Sequence, residues 1–311
     1  MTVQEHEVTL TAPAVAEASR PPGSFVAALA QIAPRLGNVA ANLERHCSII
    51  ADARAAGASL VVFPELSLTG YFLKDLVPDV AVRLDSDVIA SLCEACAGID
   101  AVIGCVVESD DARFYNAALY LSAGRVHHMH AKVYLPTYGI FDEQRYFAAG
   151  ERFRAFDATA AGARTWRAGA LICEDMWHPS AAALLARQRV DMYICPSASP
   201  GRGVLRGAAL GTANSYDFMT RAYAQLFTSY VVYVNRVGYE DGIAFWGGSR
   251  VVGPDGALVG EPAGTEETVV YHTLDKGALR RARIAYPLLR DERHDVNDSE
   301  IERIRHRRAR D

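Results

Sequence analysis

Gly169-Ala170-Leu171-Ile172-Cys173-Glu174-Asp175-Met176-Trp177-His178-Pro179 is the stretch from which the fold is read. The apolar run Ala170 to Ile172 predicts a buried strand that stops at a cysteine followed by two carboxylates. Pro179 and Ser180 then open an Ala/Leu-rich segment of helical character. A thiol at the C-terminal end of a strand, just before a loop, stands where open α/β folds place their chemistry. Most free cysteines are merely small buried hydrophobes, and Cys195 supplies an internal comparison. It too ends an apolar strand, but Pro196 follows it. Proline has no backbone N–H, so Cys195 lacks the donor that would hold an oxyanion beside its sulfur. Cys173 is followed by Glu174, whose N–H can do so. If one of the two is a nucleophile, it is Cys173.

Outward from this stretch, strands and helices alternate. Residues 25–32 predict a first strand, and Gly37-Asn38 leads into a helix over 39–56 that Gly57 stops. A β-branched run at 59–63 ends in Pro64-Glu65, so a carboxylate also stands directly beyond a strand. A helix is expected over 85–97 and a strand over 101–107. Residues 114–122 and 126–133 predict a hairpin turning at Ala123-Gly124, whose second arm delivers Lys132. The aromatic-rich segment 133–147 reads as a long loop that builds a pocket. After the strand 164–172 come a helix over 181–189, the Cys195 strand, a loop through Ser199 and a long helix over 209–228. Strands at 231–237 and 268–273 flank Phe245 to Ser249 and a turn at Pro254-Asp255-Gly256. Residues 1–23 read as a flexible extension, 24–283 as one α/β domain, and the Arg-rich stretch 284–311 as a solvated or subunit-bridging tail. That tail character is expected from Ala278 onward.

Composition narrows the function. With 311 residues, 50% of them hydrophobic, the chain can bury a large core. A net charge of -5 gives no general attraction to nucleic acid or membrane. Six irregularly spaced cysteines form no disulfide framework and suit a reducing cytoplasm. No secretory signal is expected at the start, and no apolar run approaches the ~20 residues that span a bilayer.

Glu65, Lys132 and Cys173 all stand at or just beyond strand ends, with Glu143 a fourth reactive group. Singly each has an ordinary explanation, since charged residues beyond strands usually face water. Together with their flanking residues they resemble the nitrilase, or carbon–nitrogen hydrolase, superfamily. The resemblance is carried by Phe63-Pro64-Glu65 with Thr69-Gly70-Tyr71, by Lys132-Val133-Tyr134-Leu135-Pro136, by Cys173-Glu174-Asp175 with Pro179, and by Phe245-Trp246-Gly247-Gly248-Ser249. Pro64 to Leu76, Tyr138 to Phe147 and Ser197 to Pro200 are most similar to the glutaminase domain of glutamine-dependent NAD synthetases. The chain has no Ser-Gly-Gly phosphate loop of the synthetase half, so it is not expected to make NAD by itself, and its substrate need not be glutamine.

This resemblance implies an αββα sandwich that pairs as αββα–αββα in a homodimer or larger homo-oligomer. It implies a cofactor-independent, metal-free hydrolase of a small amide or nitrile, with Cys173 as nucleophile, Glu65 as base and Lys132 as oxyanion partner. Glu143 matches a second glutamate that orients Lys132, with Asp142 as rival. Tyr71, Glu174, Tyr138, Phe141 and Ser199 are implied at the substrate, and an arginine from the same loop corresponds to Arg202 or Arg206. A partner-dependent glutaminase-type subunit and a nitrile-hydrolysing enzyme are the alternatives.

Other motifs weigh less. Cys93 and Cys96 have half of a zinc spacing with no second pair, so core packing is expected. His127-His128-Met129-His130 has no acidic partner nearby in sequence and is assigned to surface or subunit contact. A Cys173–His178 thiol-protease pair would leave Glu65 and Lys132 without a role.

Overall fold

Alternate residues of the first strand face two different cores, and this sets the layering. In β1 (Phe25–Gln31) every residue is buried. Phe25, Ala27 and Leu29 join one apolar cluster, while Val26, Ala28 and Ala30 join another. A strand covered on both faces is a continuous apolar run without alternation, as 25–30 is.

The computed structural model describes residues 21–159, 165–202 and 211–308. From β1 the chain runs through α1 (Val39–Ala55), β2 (Leu60–Val62), α2 (Val77–Val80), α3 (Asp87–Ala95), β3 (Asp100–Glu108), β4 (Phe114–Ser122) and β5 (Arg125–Ala131). It continues through α4 (Glu143–Tyr146), β6 (Ala155–Ala158), β7 (Trp166–Ala170), α5 (Pro179–Arg187), β8 (Met192–Ser197), α6 (Gly211–Leu226) and β9 (Tyr230–Asn235). Then follow β10 (Val237–Glu240), β11 (Ile243–Trp246), β12 (Arg250–Val252), β13 (Thr268–Leu274), α7 (Lys276–Ala285), α8 (Leu288–Asp291) and α9 (His294–Arg308).

One sheet has the order β13-β1-β2-β3-β4-β5 and the other β12-β9-β8-β7-β6, with β10 and β11 paired separately. β1, β2 and β3 are parallel, with Ala28, Val61 and Ala101 side by side. β7, β8 and β9 are parallel too, with Gly169, Tyr193 and Val231 in register. Leu29, Val62 and Val102 of one sheet share a core with Trp166, Ile194 and Val232 of the other. Phe25 meets Trp166 edge to face at 5.0 Å, and burying such side chains contributes about 1.5–3 kcal/mol each. Ile49, Ile50, Ile89 and Leu92 of α1 and α3 cover the first sheet. Leu185, Tyr216 and Tyr223 of α5 and α6 cover the second. The layers are therefore α, β, β, α. α1 starts where the Asn38 side chain accepts the Ala41 N–H at 3.1 Å, and Gly57, at φ 82°, ends the turn after it. No helix among the described residues is long and apolar enough to cross a membrane.

Differences from the sequence expectation fall where segments are short or polar. No signal marked β6, which pairs antiparallel with β7. The loop 133–147 contains the single turn α4, and the strand expected over 231–237 divides, β9 ending at Asn235 and β10 starting at Val237. From Ala278 the chain is not a free tail at first. The Asp275 carboxylate caps α7 by accepting the Gly277 and Ala278 N–H groups, and Leu279 and Ala282 are buried. Asp191 holds Arg283 at 2.9 Å and Lys276 at 2.5 Å. A buried apolar stripe, not charge pattern, decides where the body ends. α9 is exposed beyond it, met by Arg187 through a two-pronged ion pair to Asp298 at 2.6 Å.

Candidate active site

Strand ends of both sheets deliver the reactive side chains to one place. Glu65 follows β2 in a tight turn with Leu66 at φ 49°. The turn lies against Gly104 of β3, where a Cβ would sit 2.2 Å from the Pro64 carbonyl oxygen and 2.5 Å from the Leu66 nitrogen. Only glycine permits that approach. Glu65 Oε1 accepts Lys132 Nζ and Asn116 Nδ2, both at 2.7 Å, and Oε2 accepts the Ala198 N–H at 2.8 Å. Lys132, the first residue after β5, is anchored by its N–H to the Asn116 carbonyl at 2.8 Å. Its Nζ also donates to Glu143 Oε1 at 2.7 Å, and the Tyr71 hydroxyl donates to that same oxygen at 2.5 Å. Burial alone would lower the Lys132 pKa, but Glu143 and Glu65 outweigh it and hold the ammonium well above its ordinary range. Burial raises Glu143 to about 7, with Lys132 opposing and Glu65 adding. Its Oε2 is buried without a hydrogen-bond partner among the described residues. Of the two rival acids, Glu143 reaches Lys132, whereas Asp142 is exposed.

Cys173 begins a 3-10 turn, Cys173–Trp177, at φ 45°. Such a left-handed conformation in a residue with a side chain is strained. Asp175 braces it. One carboxylate oxygen accepts the Ile172 N–H at 3.0 Å and faces His130 Nε2 at 2.9 Å. The other accepts the Val133 and Tyr134 N–H groups at 3.1 and 3.0 Å. This one side chain therefore ties the cysteine turn to the residues just after Lys132. Cys173 is 8% exposed, and among the described residues its sulfur is hydrogen-bonded to the Tyr216 hydroxyl at 3.2 Å. Burial and then Glu65 push the thiol well above its ordinary range, while Lys132 and Tyr216 pull the other way. Cys173 thus lies within the electrostatic reach of Glu65 and Lys132 but bonds to Tyr216.

The sequence matches the carbon–nitrogen hydrolase family over residues 26–284. The chain belongs to this family and is a carbon–nitrogen hydrolase. The glutamine-dependent NAD(+) synthetase of Acinetobacter baylyi is 31% identical over 254 residues, covering 81% of this chain and 44% of that protein. The solved glutamine-dependent NAD+ synthetase of Acinetobacter baumannii, in complex with adenosine diphosphate, superposes with a TM-score of 0.72 at 29% identity. That match covers 82% of this chain and 46% of the other. A double-mutant amidase from Nesterenkonia sp. AN1 in complex with acrylamide gives 0.74 at 22% identity, covering 90% and 98%, a likeness of fold. The hydrolase spans less than half the length of these synthetases.

Around Glu65, Lys132 and Cys173, the expected pocket residues are partly assembled. Tyr138 donates to both oxygens of Glu174 at 3.0 and 2.9 Å. Burial raises the Glu174 pKa, with Tyr138 opposing. Phe141 packs edge-on to Tyr71 and Tyr138, and Arg202 stacks over Phe141 at 4.8 Å. Ser199 is buried, its N–H bonded to Asn235 Oδ1 at 2.8 Å. Arg206 lies outside the described residues. A cavity of about 120 Å³ is lined by Tyr71, Phe141, Glu143 and Phe147. His178 stacks flat on Tyr134 at 3.5 Å, and its Nε2 is 3.9 Å from Glu174, so it is spent away from the sulfur. Cys195 is fully buried, and Cys93 and Cys96 pack into the α1–α3 core. Among the described residues no three or more His, Cys, Asp or Glu side chains are grouped to hold a metal ion.

One assignment is corrected. His130 is no surface residue: it is 3% exposed and bonded to Asp175. Its acidic partner lies 45 positions away, beyond anything that neighbours in sequence reveal. Sequence reasoning also passed over Asn116 and Tyr216. A lone amide in the apolar strand 114–122 was a signal for Asn116, but Tyr216 carries none.

Proposed function

We propose that the chain hydrolyses a non-peptide C–N bond of a small linear carboxamide through a Cys173 thioester, releasing ammonia without a cofactor. The supporting observation is the Lys132 ammonium shared by Glu65 and Glu143 at 2.7 Å each, within electrostatic reach of a buried cysteine on a strained turn. In this reading Glu65 takes the thiol proton, which burial otherwise keeps on sulfur. The sulfur pair forms a C–S bond to the carbonyl carbon, and the displaced carbonyl pair moves to oxygen. Lys132 and the Glu174 N–H hold that oxygen, and loss of such a donor costs about 3 kcal/mol of barrier. When the adduct collapses, the C–N bond breaks and nitrogen leaves as ammonia with the proton from Glu65. Glu65 then takes a proton from water as its oxygen attacks the thioester, and the C–S bond breaks to free the acid. Glu143 keeps Lys132 aimed. Tyr71, Glu174, Tyr138, Phe141 and Ser199 are the proposed substrate contacts.

A second reading, a glutaminase-type subunit that supplies ammonia to a separate synthetase, is supported by the partial match to glutamine-dependent synthetases. The same thiol, base and ammonium would also process a nitrile. The test is ammonia release from a panel of amides and nitriles by the purified chain, with intact-mass detection of an acyl adduct on Cys173. Cys173→Ala is expected to abolish turnover and adduct while the fold survives, and Glu65→Gln to stall acylation. Turnover retained in Cys173→Ala would remove the nucleophile. Activity that appears only with an added synthetase would favour the second reading.

A further inference from the structure

The Tyr216 hydroxyl lies between two groups, the Cys173 sulfur and the Trp177 indole nitrogen, each at 3.2 Å. An indole N–H can only donate, so the phenol oxygen accepts from Trp177. Tyr216 is 1% exposed, and a buried hydroxyl proton left without an acceptor is costly. Among the described residues the sulfur is the acceptor in reach, so the direction of the bond follows: Tyr216 donates to Cys173. The ring is held in place by its neighbours, with Tyr233 at 4.8 Å and Trp177 edge-on at 5.8 Å. A donor so fixed favours the negative form of the sulfur over the neutral one.

We propose that Tyr216, oriented by the Trp177 indole, is a further catalytic residue that donates a hydrogen bond to the Cys173 sulfur and stabilises its anion. This rests on the hydrolase reading, in which that anion occurs twice. It forms first when the thiol proton passes to Glu65 and the electron pair stays on sulfur. It forms again when the thioester C–S bond breaks with its pair returning to sulfur. Lys132, pinned between two carboxylates, serves the substrate oxygen and reaches the sulfur only through space, so sulfur and oxygen take their hydrogen bonds from different donors. The thiol's hydrogen-bond environment is set by α6 and the cysteine turn, two segments that no sequence motif links.

The test is the pH dependence of Cys173 alkylation by iodoacetamide in the full chain, read at the Cys173 peptide by mass spectrometry. Tyr216→Phe keeps the ring and removes the donor. Its midpoint is expected about one pH unit higher, with alkylation about tenfold slower near pH 7. Trp177→Phe leaves Tyr216 in place and is expected to move the midpoint the same way by less. For any amide turned over, the activity deficit of Tyr216→Phe should shrink as pH rises, whereas purely structural damage would be uniform with pH. An unchanged midpoint in Tyr216→Phe overturns the tyrosine while leaving the nucleophile intact. A wild-type Cys173 that reacts at no pH overturns both. Should Tyr216→Phe fail to fold, an unchanged midpoint in Trp177→Phe overturns the relay.

Discussion

Glu143 illustrates how burial makes a charge conditional. It shares Lys132 with Glu65, so two buried carboxylates meet one buried ammonium. Its pKa in the folded chain, about 7, lies above the ordinary 4.5, so the native state holds the proton more tightly than the unfolded chain does. The stabilisation from that proton is fully present below about 4.5 and is lost as pH climbs through 7. The stability difference between wild type and Glu143→Gln should therefore shift against the wild type over that window. Urea midpoints at several pH values measure it, and a difference independent of pH would contradict the assignment. The sequence favoured Glu143 by resemblance but kept Asp142 as its rival, because adjacent residues share most local signals. Burial of one and exposure of the other separates them.

Among the elements, the decisive feature is how turns after strands are braced against one another. Asp175 accepts from Ile172, Val133 and Tyr134 and pairs with His130, joining the cysteine turn to the segment after β5. Asp175→Asn turns one acceptor into a donor facing N–H groups, so about 2–3 kcal/mol of stability should be lost. Acyl-adduct formation on Cys173 should slow with it. A thermal melt and an adduct time course check both, and an adduct rate equal to wild type would limit Asp175 to ballast. Gly104→Ala tests the other turn. Its Cβ would overlap backbone atoms of Pro64 and Leu66, which cannot swing aside as a side chain does. The expected outcome is a displaced Glu65, lost turnover and a lower melting temperature. Wild-type turnover in Gly104→Ala would show that the Glu65 turn tolerates movement.

At the scale of the molecule, each sheet has one face on the shared core and one under helices, which leaves the outer helical surface to account for. Phe218 of α6 is 73% exposed, with Leu184 of α5 and Leu226 of α6 about half exposed. Where such side chains form a contiguous patch, they mark a surface that associates. The proposed αββα–αββα pairing would cover them. Phe218→Glu is then expected to lower the mass measured by light scattering to that of one chain. A wild-type chain that is already monomeric would remove the pairing.

The sequence alone determined the parts that depend on local pattern. Unbroken apolar runs such as 25–30 and 192–195 encode strands buried on both faces, and Pro64-Glu65, Lys132 and Cys173-Glu174 mark strand ends. Chain order and spacing then carried the family. Tertiary structure alone decided what meets at those stops: that Asn116 and the Ala198 N–H hold Glu65, that His130 turns inward to Asp175, and that Tyr216 rather than Glu65 bonds the sulfur. The reason is physical. Secondary structure follows from periodicities only a few residues long, whereas a buried polar contact depends on the packing of segments tens of residues apart, and its energy is set by the loss of water around both partners.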